Sequence, residues 1–329
     1  MLRYIIKRIL WMIPVLLGVL LIVFAISYFS PGDPVLAILG ANVTPESYAA
    51  KAAELGLDKP FFQQFFRYVA GIVTRFDFGN SYISKISVAS ELLKRFPISF
   101  KIGIIGVAAT VILGVPLGMI SATKQYSALD YVASTLAIVC AAIPSFCVAL
   151  YAILIFGVRL QWLPITGLAT TKAWILPIFA NCISGVAVVT RMTRTSMLEV
   201  VRQDYVRTAR AKGLTEKRVI FRHALPNALI PVITVIGTQM SIIVAGSVIV
   251  ETIFAIQGVG SYLLTGITGR DYNILNGCVL LLSAFVCVMN LITDIAYAFV
   301  NPRIKAQYAS GKKKRKNRPA APAAPKEAI

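Results

Sequence analysis

Residues able to do covalent chemistry are scarce in this chain. His223 is the single histidine of 329 residues and lies in a basic segment, which argues against a haem, a multi-histidine metal site or a histidine triad. The five cysteines, Cys140, Cys147, Cys182, Cys278 and Cys287, all fall inside apolar runs, where a thiol serves as a small apolar side chain rather than as part of a disulfide framework. No GxxxxGK[ST] loop is present. Gly311-Lys312 lacks both the earlier glycine and the Ser/Thr, so the chain cannot cradle ATP phosphates by that route. Between 98 and 300, outside one basic segment, the acids are Asp130, Glu251, Asp271 and Asp294, each near the end of an apolar run. A proton-coupled carrier usually needs several carboxylates at membrane depth, and an intramembrane serine protease needs a Ser with Lys or His there. Neither arrangement is found, so no catalytic residue, metal ligand or cofactor site is expected.

What the sequence offers instead is a surface for another protein. Arg191 to Pro226, RMTRTSMLEVVRQDYVRTARAKGLTEKRVIFRHALP, carries nine Lys/Arg against three acids and reads as two short helices around a glycine. Ser196 and Glu199 have capping-box spacing and predict a helix start. Leu198, Val201, Tyr205, Val206 and Ala209 then recur at three- and four-residue steps, an apolar stripe on a basic helix. Gly213 suits the left-handed position that closes such a helix, Leu214 the apolar contact after it, and Thr215 the cap of the next, which runs to about Pro226.

This stretch resembles the cytoplasmic EAA loop of ABC-importer permeases, in which a glycine is followed thirteen residues on by a proline preceded by leucine: here Gly213, Leu225 and Pro226. Arg207-Thr208-Ala209 stand at the Glu-Ala-Ala positions, so the last alanine alone matches, and His223 stands where an apolar residue is usual. DYVRTARAKGL, with RMTRTSMLEV before it and FRHALPNALIPV after it, is similar to the version in the dipeptide/oligopeptide/nickel-type subfamily. Ser30-Pro31-Gly32-Asp33-Pro34, Leu55 to Pro60, Asp77 to Ser81, Glu251 to Phe254, Gly258-Val259-Gly260 and Arg270-Asp271-Tyr272 also resemble elements of that subfamily.

Composition sets the frame in which these motifs must sit. At 57% hydrophobic and 14% charged the chain is too apolar for a soluble protein of this length. Its net charge of +19 is concentrated in 1–8, 190–225 and 301–329, which together hold +17. That is the pattern of cytoplasmic segments under the positive-inside rule, and it argues against nucleic-acid binding. The loop 30–97, with seven bases and six acids, suits a translocated segment.

The expected fold is all-α and polytopic, with six transmembrane helices in the type I ABC-importer permease arrangement. Residues 1–8 form a cytoplasmic N-terminus, 9–29 the first span and 30–97 an extracytoplasmic cap. The second to fourth spans are 98–123, 131–158 (interrupted at Pro144) and 173–190. The cytoplasmic coupling hairpin is 191–226, the fifth span 227–250, the outer loop 251–271 and the sixth span 272–300. The tail 301–329 is basic and expected to be disordered, able to rest on anionic membrane lipid.

The resemblance implies the permease subunit of an ATP-driven, binding-protein-dependent importer. Its partners would be a second permease, a paralogue by expectation, two ABC ATPases and an extracytoplasmic binding protein. Glu199, Asp204, Tyr205, Val206, Ala209, Lys212, Gly213, Leu214 and Pro226 would couple to the ATPase, with the apolar face from Leu198 to Ala209 in its groove. Glu251, Phe254, Arg270 and Asp271 would dock the binding protein at the outer mouth. Short peptides are the expected substrate; nickel or another small solute in the same importer class, and an ion-coupled carrier, are the alternatives.

Overall fold

The computed structural model describes residues 2–40 and 43–300. The basic tail 301–329, with its expected disorder, lies outside the described residues. All the named elements are helical. Uncharged from Ile9 onward, α1 (Leu2–Phe29) stops at the Ser30-Pro31-Gly32 turn. Asp33 then caps α2 (Pro34–Leu39), its carboxylate accepting from the Val35 amide at 2.7 Å. A capping box between Thr44 and Ser47 opens α3 (Pro45–Leu55), and Gly56 closes it in the left-handed conformation. On α4 (Phe61–Arg75), Phe61 and Phe65 meet Phe24 of α1 edge to face, with ring centroids 5.7 and 5.5 Å away. The loop after the first span is thus a helical cap fastened to the bundle by aromatic packing.

The long helix α5 (Val88–Thr123) begins before the expected span start at 98. Val88 and Leu92 are buried with Val259, Tyr262, Ile274 and Cys278, and this extra apolar contact carries the helix past the membrane-length run. Lower down, α5 packs tightly on α8 (Ile175–Val201). A Cβ at Gly118 would lie 2.4 Å from the Thr190 carbonyl oxygen, so close approach of the two backbones requires glycine there.

The third span is not straight. Between α5 and α8, α6 (Ala128–Ala142) and α7 (Ser145–Ala152, continued by a π-helical turn to Arg159) meet at a bend of 100°. Ile143 is extended at the break, as a residue preceding proline prefers to be, and Pro144 has no amide hydrogen to continue the ladder. Five described helical stretches are long and apolar enough to cross a bilayer, and six if this bent pair counts as one span.

After α8 come α9 (Asp204–Ala211), α10 (Glu216–Arg218) and a π-helical turn that leads into α11 (Leu225–Ile253). Short and apolar, α12 (Val259–Thr268) precedes α13 (Tyr272–Val300). Arg8 of α1 and Asp294 of α13 form an ion pair at 2.9 Å, which supplies the interfacial partner that this acid needs and fastens the first helix to the last.

Candidate functional site

The basic segment begins with a departure from the expected pattern. No helix starts at Ser196. Instead α8 runs unbroken to Val201, because Ser196 and Met197 are buried against α11, with Ser196 Oγ donating to the Ala228 carbonyl at 2.8 Å. Leu198 and Val201 therefore belong to the spanning helix. The chain turns at Arg202-Gln203, and α9 starts at Asp204 with Gln203 extended in front of it.

Gly213 takes the left-handed conformation, φ +75°, and its amide closes α9 by donating to the Arg210 carbonyl at 2.9 Å. A Cβ there would meet nothing within 4 Å, so the position demands glycine for its backbone and not for space. Thr215 stands at the cap of α10, but its side chain makes no capping hydrogen bond. The reversal is held by Arg210, whose Nη2 and Nε donate to the two carboxylate oxygens of Glu216 at 2.6 and 3.1 Å.

Burial sorts the expected coupling residues into two sets. Val206 and Ala209 are enclosed with Val219, against Val200 and Leu214, as a small core inside the hairpin. They do not present an apolar face outward, which corrects the expectation of a stripe lying in a partner's groove: the stripe closes the hairpin on itself. Glu199, Asp204, Tyr205, Lys212, Gly213 and Pro226 are exposed. Tyr205 accepts a hydrogen bond from Asn227 Nδ2 at 2.8 Å, Asp204 faces solvent almost fully and Arg207 is largely exposed. The outer face of the hairpin is polar and strongly basic.

Sequence reasoning missed the anchor above this hairpin. Asp130, 2% exposed at the start of α6, receives Arg194 Nε at 2.7 Å and Nη2 at 2.9 Å, a bidentate pair between helices 64 residues apart in sequence. Ser121 Oγ donates to the same carboxylate, as do the Tyr126 amide at 3.0 Å and Ser134 Oγ at 3.3 Å. The signal was an acid at the mouth of one apolar run and an arginine about one turn beyond the end of another.

At the opposite end, three of the four residues expected to form a docking surface are internal. Glu251 lies on α11, fully buried, and accepts from Ser99 Oγ at 2.7 Å, Ser247 Oγ at 3.0 Å and the Ser261 amide at 3.0 Å. Ser99 Oγ in turn accepts from the Val259 amide at 2.9 Å, so one carboxylate ties α5, α11 and α12 together. Phe254 and Asp271 are 1% exposed. Asp271 accepts from Ser81 Oγ at 2.7 Å and the Tyr82 amide at 2.6 Å, holding the cap to α13, and burial raises the Tyr82 phenol above its ordinary pKa. Arg270 alone of the four is exposed. Glu251, Phe254 and Asp271 thus form joints of that end of the bundle rather than a solvated loop. Among the described residues no three His, Cys, Asp or Glu side chains come together as a metal site.

The chain is similar to known proteins in sequence and in fold. Residues 114–306 match the family described as binding-protein-dependent transport system inner membrane component, and residues 1–103 match the N-terminal part of such membrane components. The chain is 37% identical to the dipeptide transport system permease protein DppB of Escherichia coli K12, over 93% of this chain and 99% of that protein. It is 38% identical to the glutathione transport system permease protein GsiC of Pectobacterium atrosepticum, again over 93% and 99%. An inward-facing crystal form of the MetNI methionine ABC transporter shares the fold, with a TM-score of 0.56 at 18% identity over 64% of this chain and 96% of that one.

Proposed function

Because the chain belongs to the family of binding-protein-dependent transport inner-membrane components, we propose that it forms, with a second and paralogous permease, the pathway of an importer for short peptides. It is a multi-pass inner-membrane protein and a non-catalytic component of an ABC transporter, in which ATP is hydrolysed by an ATPase and cargo is brought by a binding protein. Two ATPases, one beneath each permease, complete the assembly. The peptide reading is supported by the near full-length relationship to DppB, and glutathione, the cargo named for GsiC, is itself a modified tripeptide.

The coupling follows from how the hairpin is built. Its polar outer face, with Asp204, Tyr205, Arg207 and Lys212, docks on the ATPase. The internal core of Val206, Ala209 and Val219 makes it a stiff body rather than a loose loop. Since α8 enters the hairpin without a break, a displacement of α9 is passed up that helix. The Asp130–Arg194 pair passes it on to α6, below the bend at Pro144. ATP-driven closure of the ATPases moves two such hairpins together and opens the pathway outward; hydrolysis resets it.

Uptake of a labelled dipeptide is expected to stop when ATP is depleted and to persist when ion gradients alone are collapsed. Unlabelled di- and tripeptides should compete and free nickel should not. Uptake that follows an ion gradient without ATP contradicts the reading.

The concentration of Lys and Arg in 1–8, 190–225 and 301–329 supports a cytoplasmic hairpin and cytoplasmic termini. With the five native cysteines replaced, a cysteine at Ser84 should react with an impermeant thiol reagent in intact cells. One at Thr215 should react only after permeabilisation; both positions are exposed. Labelling of Thr215→Cys in intact cells would reverse the orientation.

A further inference from the structure

A cavity of about 540 Å³ lies at the outer end of the chain, between the last turns of α1, the short helices α2 and α3, and the first turns of α13. Its volume is in the range of small-molecule sites. Among the described residues Asp33 is the one charged side chain in its wall, and aromatic rings make up much of the rest: Phe24, Tyr28, Tyr48, Tyr82 and Tyr272. The Asp33 carboxylate accepts from the Val35 amide and from the Tyr48 hydroxyl, one bond to each oxygen, which leaves acceptor capacity on both. A carboxylate among electron-rich rings is the chemistry that receives an organic cation.

Two further observations narrow the ligand. Asn276 of α13 also lines the cavity; it is 1% exposed, and its Oδ1 has no hydrogen-bond partner. A buried acceptor left open calls for an N–H donor, which a primary ammonium has and a quaternary one lacks. At the cavity's edge the guanidinium of Arg270 passes over Gly32, where even a Cβ would fall 1.7 Å from Nη1. Arg270 is exposed and has no carboxylate within ion-pairing distance among the described residues. The positive group therefore lies beside Gly32, a neighbour of Asp33 in the cavity wall.

We propose that this cavity binds a small zwitterion, its primary ammonium held by Asp33, Asn276 and the tyrosine rings and its anionic end met by Arg270. Two sources supply that chemistry at this level of the bundle. One is a short peptide arriving from outside; the other is the ethanolamine phosphate headgroup of a membrane lipid, since α1 ends and α13 begins at the cavity. The peptide source rests on the importer reading, whereas the site itself does not.

The test is titration calorimetry on the full-length protein in nanodiscs of phosphatidylcholine and phosphatidylglycerol, with no ATP or partner protein. The probes are L-alanyl-L-alanine and glycerophosphoethanolamine, each set against its blocked counterpart, N-acetyl-alanyl-alanine and glycerophosphocholine. Saturable binding of at least one primary-ammonium probe is expected, weakened about tenfold or more in its blocked counterpart. Binding of the dipeptide alone identifies a cargo subsite, binding of the headgroup alone a lipid site, and binding of both the shared chemistry. Asp33→Asn keeps the α2 cap, because asparagine caps as well as aspartate, yet should weaken binding about tenfold. Asn276→Leu, of similar branched shape, removes the open acceptor and should also weaken it. No saturable binding of either free-amine probe overturns the proposal, and so does equal binding of the blocked probes or undiminished binding by both variants. ATP-dependent uptake can fail while this site stands, and the converse holds as well.

Discussion

Replacing Arg194 by methionine is expected to lower the stability of the membrane bundle by about 2 kcal/mol and to cut peptide uptake more than it cuts the amount of protein in the membrane. The substitution leaves Asp130, 2% exposed, with a negative charge answered only by Ser121, Ser134 and the Tyr126 amide. Breaking one partner of a buried pair typically costs ~3–5 kcal/mol. The lower figure applies here because the Arg194 side chain keeps 29% exposure and water screens part of the loss. The double variant Arg194→Met with Asp130→Leu removes both charges and should regain most of the stability, since an ion pair replaced by packed apolar groups is often neutral. It should not regain uptake if the pair transmits movement from α8 to α6. The measurements are thermal unfolding of the purified permease and uptake normalised to membrane protein. A single variant with wild-type melting and wild-type uptake removes the pair from the mechanism.

Val206→Asp should be the most damaging single change in the hairpin. Its side chain is wholly enclosed with Ala209 and Val219, and a carboxylate there has no partner. An uncompensated buried charge costs roughly 3–5 kcal/mol, more than a two-helix unit of this size can hold. The six membrane segments should still insert, while ATPase recovered on purification and uptake fall together. Two milder changes bracket it. Tyr205→Phe removes one partly exposed hydrogen bond, worth about 0.5–1 kcal/mol, and should leave the ATPase bound. Gly213→Val meets no neighbour and pays only backbone strain, about 1 kcal/mol or somewhat more for a β-branched side chain at φ +75°. It should loosen coupling without abolishing assembly. If Val206→Asp co-purifies with a full complement of ATPase and transports normally, the hairpin is not the coupling element.

These variants separate what is written locally from what is decided at a distance. The apolar lengths, the turn at Ser30 to Pro34, the proline break at residue 144 and the left-handed Gly213 were all legible in the chain. Each depends on a run of residues, or on one residue whose backbone preferences are its own. The family resemblance was legible for a related reason, since order and spacing around Gly213 and Pro226 survive in the sequence whatever the neighbours do.

Direction of side chains was another matter. The stripe of Leu198, Val201, Tyr205, Val206 and Ala209 has helical spacing, yet α8 takes the first two and a turn at Arg202-Gln203 intervenes. Periodicity identifies a buried face without naming what buries it, and here Val219 does, from the far side of the reversal. Glu251 and Asp271 read as loop charges because they flank apolar runs, but serines and amides drawn from other segments satisfy them inside the protein. Arg194 found Asp130, and Asp33 came to share a cavity with Asn276, only when helices far apart in sequence were brought side by side. The sequence by itself determined the apolar runs, the basic segment and the family. Tertiary structure decided which polar groups are joints and which are surfaces, because a buried charge is stable only where other elements deliver its hydrogen-bond partners.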